Sequence, residues 1–313
     1  MQVQTMRGAA SGGAQGAQHN GPSRDAGPGS IRLRRQPPPS ETRSAEQLYE
    51  QYVVEKELAA RLMNASEAER GTLYSAVYED LYRRIPHHSQ LRNKVSADDQ
   101  AKRIARQFSF LEPWLTPDTV FLEIGAGDCA LSFAVAKKVA HVYGLDVSPA
   151  VTFNETKPEN FTLVLSDGTS IRVPDGSITL AFSNQLMEHL HPKDALRQLQ
   201  NIYRSLASGG NYVCLTPNRL TGPHDISRYF DRTATGFHLK EYTCGELIEL
   251  FRKVGFKSVH QCFRSRRSLV RGSDLLTRGV ERSMENLPSG VSDRLARNKW
   301  VRGLLEIRLI ATK

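Results

Sequence analysis

Apolar residues recur along this chain with two different periods, and the change from one to the other falls near residue 116. In "SAEQLYEQYVVEKELAARLMN" the positions Leu48, Tyr52, Val53, Leu58 and Leu62 are spaced as on one helical face, with charged residues between them. Ser66 followed by Glu69 has the form of a capping box and opens a second helix through Leu73, Val77 and Leu81. That helix should stop at Ile85, because Pro86 disfavours a helical residue before it. A third helix is expected over about 98–111, ending at "EPWLTP". From Thr119 onward, short β-branched runs replace this pattern: "VFLEI", "HVYGLDV", "FTLVLS", "SITLAFSN", "GNYVCLTP", "FKSVHQCF" and "LLEIRLIAT" read as strands. Helical segments such as "ALSFAVAKKV", "ALRQLQNIYRSL" and "CGELIELFRKVG" lie between some of them, which predicts a mostly parallel α/β sheet with helices on both faces.

Composition adds a front end to this scheme. The first residues are rich in Gly, Ala, Gln and Ser, and "RRQPPPSE" closes them, so residues 1–43 are expected to be a disordered tail. The expected organisation is a tail over 1–43, a helical extension or cap over 44–115, and an α/β domain over 116–313. No apolar run approaches the length needed to span a bilayer, and the N-terminus has no apolar signal core. The four cysteines form no CxxC pair, so neither a disulfide framework nor a cysteine metal site is indicated, and a cytoplasmic location is expected. A net charge of +9 permits contact with nucleic acid. Much of that charge sits in the N-terminal arginines and in the segment 264–302, which reads as a solvated basic face.

Candidate chemistry gathers where the predicted strands end. "FLEIGAGDCALSF" occupies the first strand-to-helix turn, where open α/β sheets bind ligands, and Gly125 and Gly127 around Ala126 permit a tight turn. Asp146 ends the next strand, followed by Val147, at the position suited to accept hydrogen bonds from two ribose hydroxyls. A carboxylate at Glu123, before the glycines, repels a pyrophosphate and attracts a cation. This points away from a dinucleotide and towards S-adenosylmethionine. Asp167 and Gly168 end the third strand, where a carboxylate can accept from an adenine amine, and Asn184 and Gln185 end the fourth, near the expected donor sulfur. Asp128 reads as a helix N-cap.

The ordered series E-I-G-A-G, L-D-V, S-D-G, S-N-Q-L-M-E-H-L and "SLASGGNYVCLTPN" resembles the class I S-adenosylmethionine-dependent methyltransferases over roughly residues 115–313. The resemblance implies a Rossmann-like, seven-stranded sheet with an antiparallel last strand, Gly125 and Gly127 around the methionine part of the cofactor, Asp146 on the ribose and Asp167 on the adenine. Gln185, Glu188, His189 and the distant His238 are similar to the E-x-x-E-H plus distant His pattern of ubiquinone-pathway and small-RNA 2′-O-methyltransferases, in which these groups hold a divalent metal. Gln185 replaces the first Glu, which weakens a hard-cation site. Three readings stay open: a metal site, a metal-free base or orienting pair at His189 and His238 beside Glu188, and histidines that only hydrogen-bond loops. The long segment "PNRLTGPHDISRYFDRTATGFHLKEYT", with His224, Arg228, Tyr229 and Phe230, is either an acceptor-binding loop or a packed lid. A small-molecule acceptor with O-methylation is the first expectation. An RNA 2′-O-methyltransferase-like enzyme and a non-catalytic cofactor-binding domain are the alternatives, and oligomeric state is not legible.

Overall fold

A computed structural model describes residues 31–88, 96–147, 156–264 and 269–313. Its centre is one sheet in the spatial order β3-β2-β1-β4-β5-β8-β6-β7. The strands are β1 Val120–Ile124, β2 His141–Asp146, β3 Phe161–Leu165, β4 Ile178–Asn184, β5 Leu206–Thr216, β6 Ser258–Arg264, β7 Leu269–Arg271 and β8 Ile307–Thr312. Every pairing among the first five strands is parallel, whereas β8 runs antiparallel to both β5 and β6. The antiparallel last strand agrees with the sequence expectation. The count does not: β7 pairs with β6 and makes an eighth, edge strand. Three residues are too few for an alternating pattern to be legible in the sequence.

Alternation along β1 divides the core. Leu122 and Ile124 join one apolar cluster and Phe121 the other. The first cluster packs helices α1 (Ala45–Asn64) and α2 (Glu67–Arg84) with two helices of the α/β domain, α5 (Pro192–Ser205) and α6 (Cys244–Val254). The second packs α3 (Ala97–Leu111) and α4 (Ala130–Ala136) on the opposite face. Helices α7 (Asp274–Asn286), α8 (Ser289–Ala296) and α9 (Lys299–Leu305) follow β7.

The helix boundaries follow local chemistry. Ser44 with Gln47, Ser66 with Glu69, and Thr243 with Glu246 form reciprocal capping boxes at α1, α2 and α6. The N-cap of α4 is Cys129, in the left-handed region, rather than the expected Asp128; Asp128 instead accepts from the Ala130 N–H two residues on, and its second oxygen accepts from Gln100 and Arg103 of α3.

The N-terminal boundary needs correction. The first thirty residues of the expected tail lie outside the described residues, while 31–43 are bound to the domain. The Arg34 N–H donates to the Tyr229 carbonyl, Leu33 packs with Leu48, Tyr52 and Tyr229, and Arg43 is buried between Glu41 and Gln51. A Pro-rich stretch that cannot form its own core still serves as an extended strap when its few large side chains find a partner. The 264–302 segment is likewise more than a solvated face. Glu281 is buried and its carboxylate accepts from Asn218 and from the Cys244 and Gly245 N–H groups, which satisfies the first turn of α6.

The helical extension is held over the sheet by a buried ion pair. Arg70 of α2 donates from Nε and Nη2 to the two oxygens of Asp194 in α5, at 2.6 and 2.7 Å, with side chains 4% and 3% exposed. The Tyr74 hydroxyl donates to the same carboxylate at 2.8 Å and accepts from the His191 N–H. Removing one partner strands a charge in a dry interior. Arg70→Ala should therefore lower the unfolding free energy by about 3–5 kcal/mol in urea titration, and an Arg70→Met, Asp194→Leu pair should lose markedly less.

Candidate functional site

Below α1 and α2, and above the carboxyl ends of the parallel strands, lies a cavity of about 800 Å³. Its floor includes Gly125, Asp146, Val147, Gly168 and Gln185, and His189 and His238 form part of its wall. The roof carries Tyr74, Tyr78 and Tyr82, spaced by four along α2, with Phe237 from the long loop after β5. Glu123, Ala126, Gly127, Asp167, Asn184 and Glu188 do not line the cavity.

The glycine turn is built by backbone conformation. Gly125 and Gly127 hold φ of +75° and +54°, in the left-handed region that side-chain-bearing residues avoid. The Gly125 and Ala126 N–H groups donate to the Leu145 carbonyl, and the Gly127 N–H donates to Asp146 Oδ2 at 2.8 Å. Asp146 thus fixes the turn and borders the cavity at once. Its position on the floor beside the glycines fits the sugar end of a nucleoside.

Two expected cofactor residues have local tasks. Glu123 alternates with Leu122 and Ile124 and so faces α4, where its carboxyl accepts from the Ser132 hydroxyl at 2.6 Å. Burial pushes its pKa up to about 8, so at neutral pH the group is mostly uncharged. Asp167 Oδ1 accepts from the Thr169 N–H, the Thr169 hydroxyl and the Ser170 N–H, and these bonds overcome burial and hold its pKa below the usual value. It closes its own turn, which Gln198 and Asn201 of α5 tie down through the Gly168 and Thr169 carbonyls.

Gln185 is the non-glycine residue at which β4 turns into the cavity floor, with φ of +55° and its N–H on the Leu215 carbonyl. A left-handed glutamine is a strained position, of the sort that collects at functional sites.

The histidines converge as the sequence suggested. Their rings meet edge to face with centroids 4.8 Å apart. His189 follows β4 on a short 3-10 turn, and its Nδ1 lies 3.0 Å from the Phe237 carbonyl and 3.3 Å from the Tyr78 hydroxyl. A carbonyl only accepts, so Nδ1 carries the proton and Nε2 the lone pair. Burial, with His238 adjacent, pushes the His189 pKa down to about 3 and keeps the ring neutral.

His238 is the opposite case. Burial disfavours its charge, but the hydrogen bond to Glu241 Oε1 at 2.6 Å, with Glu188 and Asp225 nearby, lifts its pKa above the ordinary value. Glu188 sits fully buried beneath the pair. The Thr216 hydroxyl donates to its Oε2, Oε1 has no partner among the described residues, and burial raises its pKa to about 7. Ligand atoms of Glu188, His189 and His238 all lie within 4.8 Å of one another. The donor set and the orphaned oxygen fit a divalent cation. Gln185, the fourth member of the sequence pattern, lines the cavity nearby.

Sequence reasoning missed Glu241, although "HLKE" places it three residues after His238, and it missed the three tyrosines of α2, whose spacing was legible. Of the four loop residues singled out as acceptor-binding or lid residues, His224 and Arg228 line the cavity, whereas Tyr229 and Phe230 pack with Leu48 and Tyr52.

With this geometry in hand, residues 122–214 match the family model described as a methyltransferase domain. The matched segment, with the fold around it, is similar to the class I S-adenosylmethionine-dependent methyltransferases. It is 28% identical over 137 residues to a probable S-adenosylmethionine-dependent methyltransferase of Mycolicibacterium smegmatis, covering 44% of this chain and 51% of that one. It is 30% identical over 97 residues to phosphoethanolamine N-methyltransferase 1 of Triticum aestivum, covering 29% of this chain and 20% of that one. The chain thus spans about half the length of the first relative and a fifth of the second. A solved S-adenosylmethionine-dependent methyltransferase from Archaeoglobus fulgidus superposes with a TM-score of 0.45 at 19% identity, over 68% of this chain and 94% of that one. No described helix is long and apolar enough to cross a membrane.

The His238–Glu241 pair has a direct test. Glu241→Gln removes the charge that favours the imidazolium, so the His238 pKa should fall, and its ring resonances in a pH-resolved NMR titration should move at lower pH than in the wild type.

Proposed function

We propose that the chain transfers a methyl group from S-adenosylmethionine to a small-molecule acceptor, with an oxygen as the acceptor atom. The observation that carries this is the meeting of two halves in one cavity: the Gly125–Gly127 turn pinned to Asp146 on its floor, and the His189–His238 pair in its wall. Gly125, Asp146, Val147, Gly168 and Gln185 hold the cofactor, which supplies an electrophilic methyl group. Enclosure under α1 and α2 suits a small acceptor and excludes water from the reacting atoms.

The proton of an acceptor hydroxyl needs a destination. His238 Nε2 is suited to receive it, because Glu241 holds Nδ1–H and stabilises the resulting imidazolium, in the manner of a carboxylate-oriented base. His189, kept neutral, orients the hydroxyl from its Nε2. This arrangement favours oxygen over nitrogen, although one relative is named as an N-methyltransferase.

A second reading rests on the unpartnered Oε1 of Glu188. Here Glu188, His189 and His238 would hold a divalent cation, which supplies Lewis-acid activation of the acceptor oxygen.

Calorimetry with S-adenosylhomocysteine should show Asp146→Ala weakening binding about tenfold or more. Unchanged affinity would overturn the cofactor assignment. In a labelled methyl-donor assay on extracts, His238→Ala should lower turnover roughly 10²- to 10⁴-fold with cofactor affinity intact. The base must be neutral, so kcat/KM should rise with pH through an apparent pKa above the ordinary histidine value of about 6.5. Loss of activity on chelation, restored by magnesium or manganese, would select the metal reading instead.

A further inference from the structure

The end of the cavity away from the glycine turn is lined by charged side chains from the strap, α1 and the long loop. Nearly all of them are spoken for. Arg43 is held by both Glu41 oxygens and by Gln51. The Glu55 carboxylate accepts from Gln51 and from the Phe237 N–H, and Asp225 accepts from the Ser227, Gly236 and His238 N–H groups and the Ser227 hydroxyl. His224 Nε2 is engaged by Thr221 and the Asn218 carbonyl.

Arg228 is the exception. Its guanidinium stacks over the Tyr229 ring at 4.8 Å and donates from Nη2 to the Tyr229 hydroxyl at 3.0 Å, which fixes its plane. Its Nε is buried with no hydrogen-bond partner, and among the described residues no carboxylate pairs with it. Glu41 is near enough to feel its charge, but both Glu41 oxygens belong to Arg43. Further arginines reinforce the positive potential, since Arg34, Arg35, Arg297 and Arg302 gather around the same corner. Of these, Arg34 is neutralised by Asp293.

A half-buried, oriented guanidinium with a buried, unpartnered Nε and no counter-ion is costly to maintain, and a planar fork of donors is matched by a carboxylate or phosphate. We infer that the acceptor carries an anionic group, a carboxylate or a phosphate, which docks on Arg228 at the far end of the cavity and so sets the acceptor's position relative to His238. This rests on the methyltransferase reading of the same cavity. It makes Arg228 a specificity-determining residue, because an acceptor lacking the anion leaves the guanidinium unpaired and is rejected.

The test uses full-length protein saturated with S-adenosylhomocysteine, titrated calorimetrically with inorganic phosphate and, separately, with benzoate. At least one probe should bind the wild type, and which one binds more tightly distinguishes a phosphate-bearing from a carboxylate-bearing acceptor. Arg228→Gln should weaken that binding about tenfold or more, with S-adenosylhomocysteine affinity unchanged. Arg302→Gln, outside the cavity lining, should have a much smaller effect. The proposal is overturned if neither probe binds, if Arg228→Gln binds as tightly as the wild type, or if Arg302→Gln causes the larger loss. Should Arg228→Gln not fold, Arg228→Lys decides: it keeps the charge but not the fork, and equal affinity for the better probe would overturn the assignment. Failure of the wild type to bind S-adenosylhomocysteine would instead sink the methyltransferase reading, independently of any anion.

Discussion

The reversal of strand order between β1 and β4 is the constraint on which the rest of the molecule depends. From β1 the sheet grows outward through β2 and β3 on one side and through β4 and β5 on the other, so the loops leaving β1 and β4 diverge and open a crevice at the strand ends. The groups that line that crevice are the glycine turn after β1, Asp146 at the end of β2, Gln185 and His189 after β4, and the long loop after β5. An open crevice would be a poor reaction vessel. The N-terminal helices convert it into a cavity, and the Arg70–Asp194 pair with Tyr74 locks them in place through α5.

Much of this was legible in the sequence because the relevant signals are local. The capping boxes of α1 and α2, the alternation in β1 and the glycine turn each depend on residues within a few positions of one another. The convergence of His189 and His238 was legible for a different reason, since both follow strand ends that a parallel sheet must place side by side. What was not legible depends on which way a side chain faces. Glu123 has the sequence position of a cofactor residue, but strand alternation turns it to Ser132 on α4. Asp167 has the right place too, yet its nearest donors are its own turn's N–H groups. The strap over 31–43 escaped notice because its contacts, Arg34 to Tyr229 and Leu33 to Leu48, reach residues distant in the chain or sparse in number.

The cavity's electrostatics come from unequal burial of like groups. Two histidines in edge-to-face contact are driven in opposite directions, His189 downward by burial and the adjacent imidazole, His238 upward by a carboxylate. Pairs of titratable groups pushed apart in this way divide the labour of proton handling. Glu188 beneath them is held near the point where its charge depends on the neighbouring imidazole. Glu188 and His238 each feel the other's charge, so their apparent pKa values belong to the pair rather than to either residue.

Glu241 Oε1 accepts both from His238 Nδ1 and from the His224 N–H, at 2.6 and 2.7 Å, and so staples the two arms of the long loop to a single atom. The arms therefore travel together. A loop that hinged open would carry His238 and its carboxylate as one body, while the burial that disfavours the ring's charge and the nearby Glu188 would be left behind. Opening and proton affinity are thereby linked: exposure relieves the burial that disfavours the imidazolium while Glu241 stays bonded to it, so the ring of an open loop would hold its proton more tightly with respect to burial than that of a closed one.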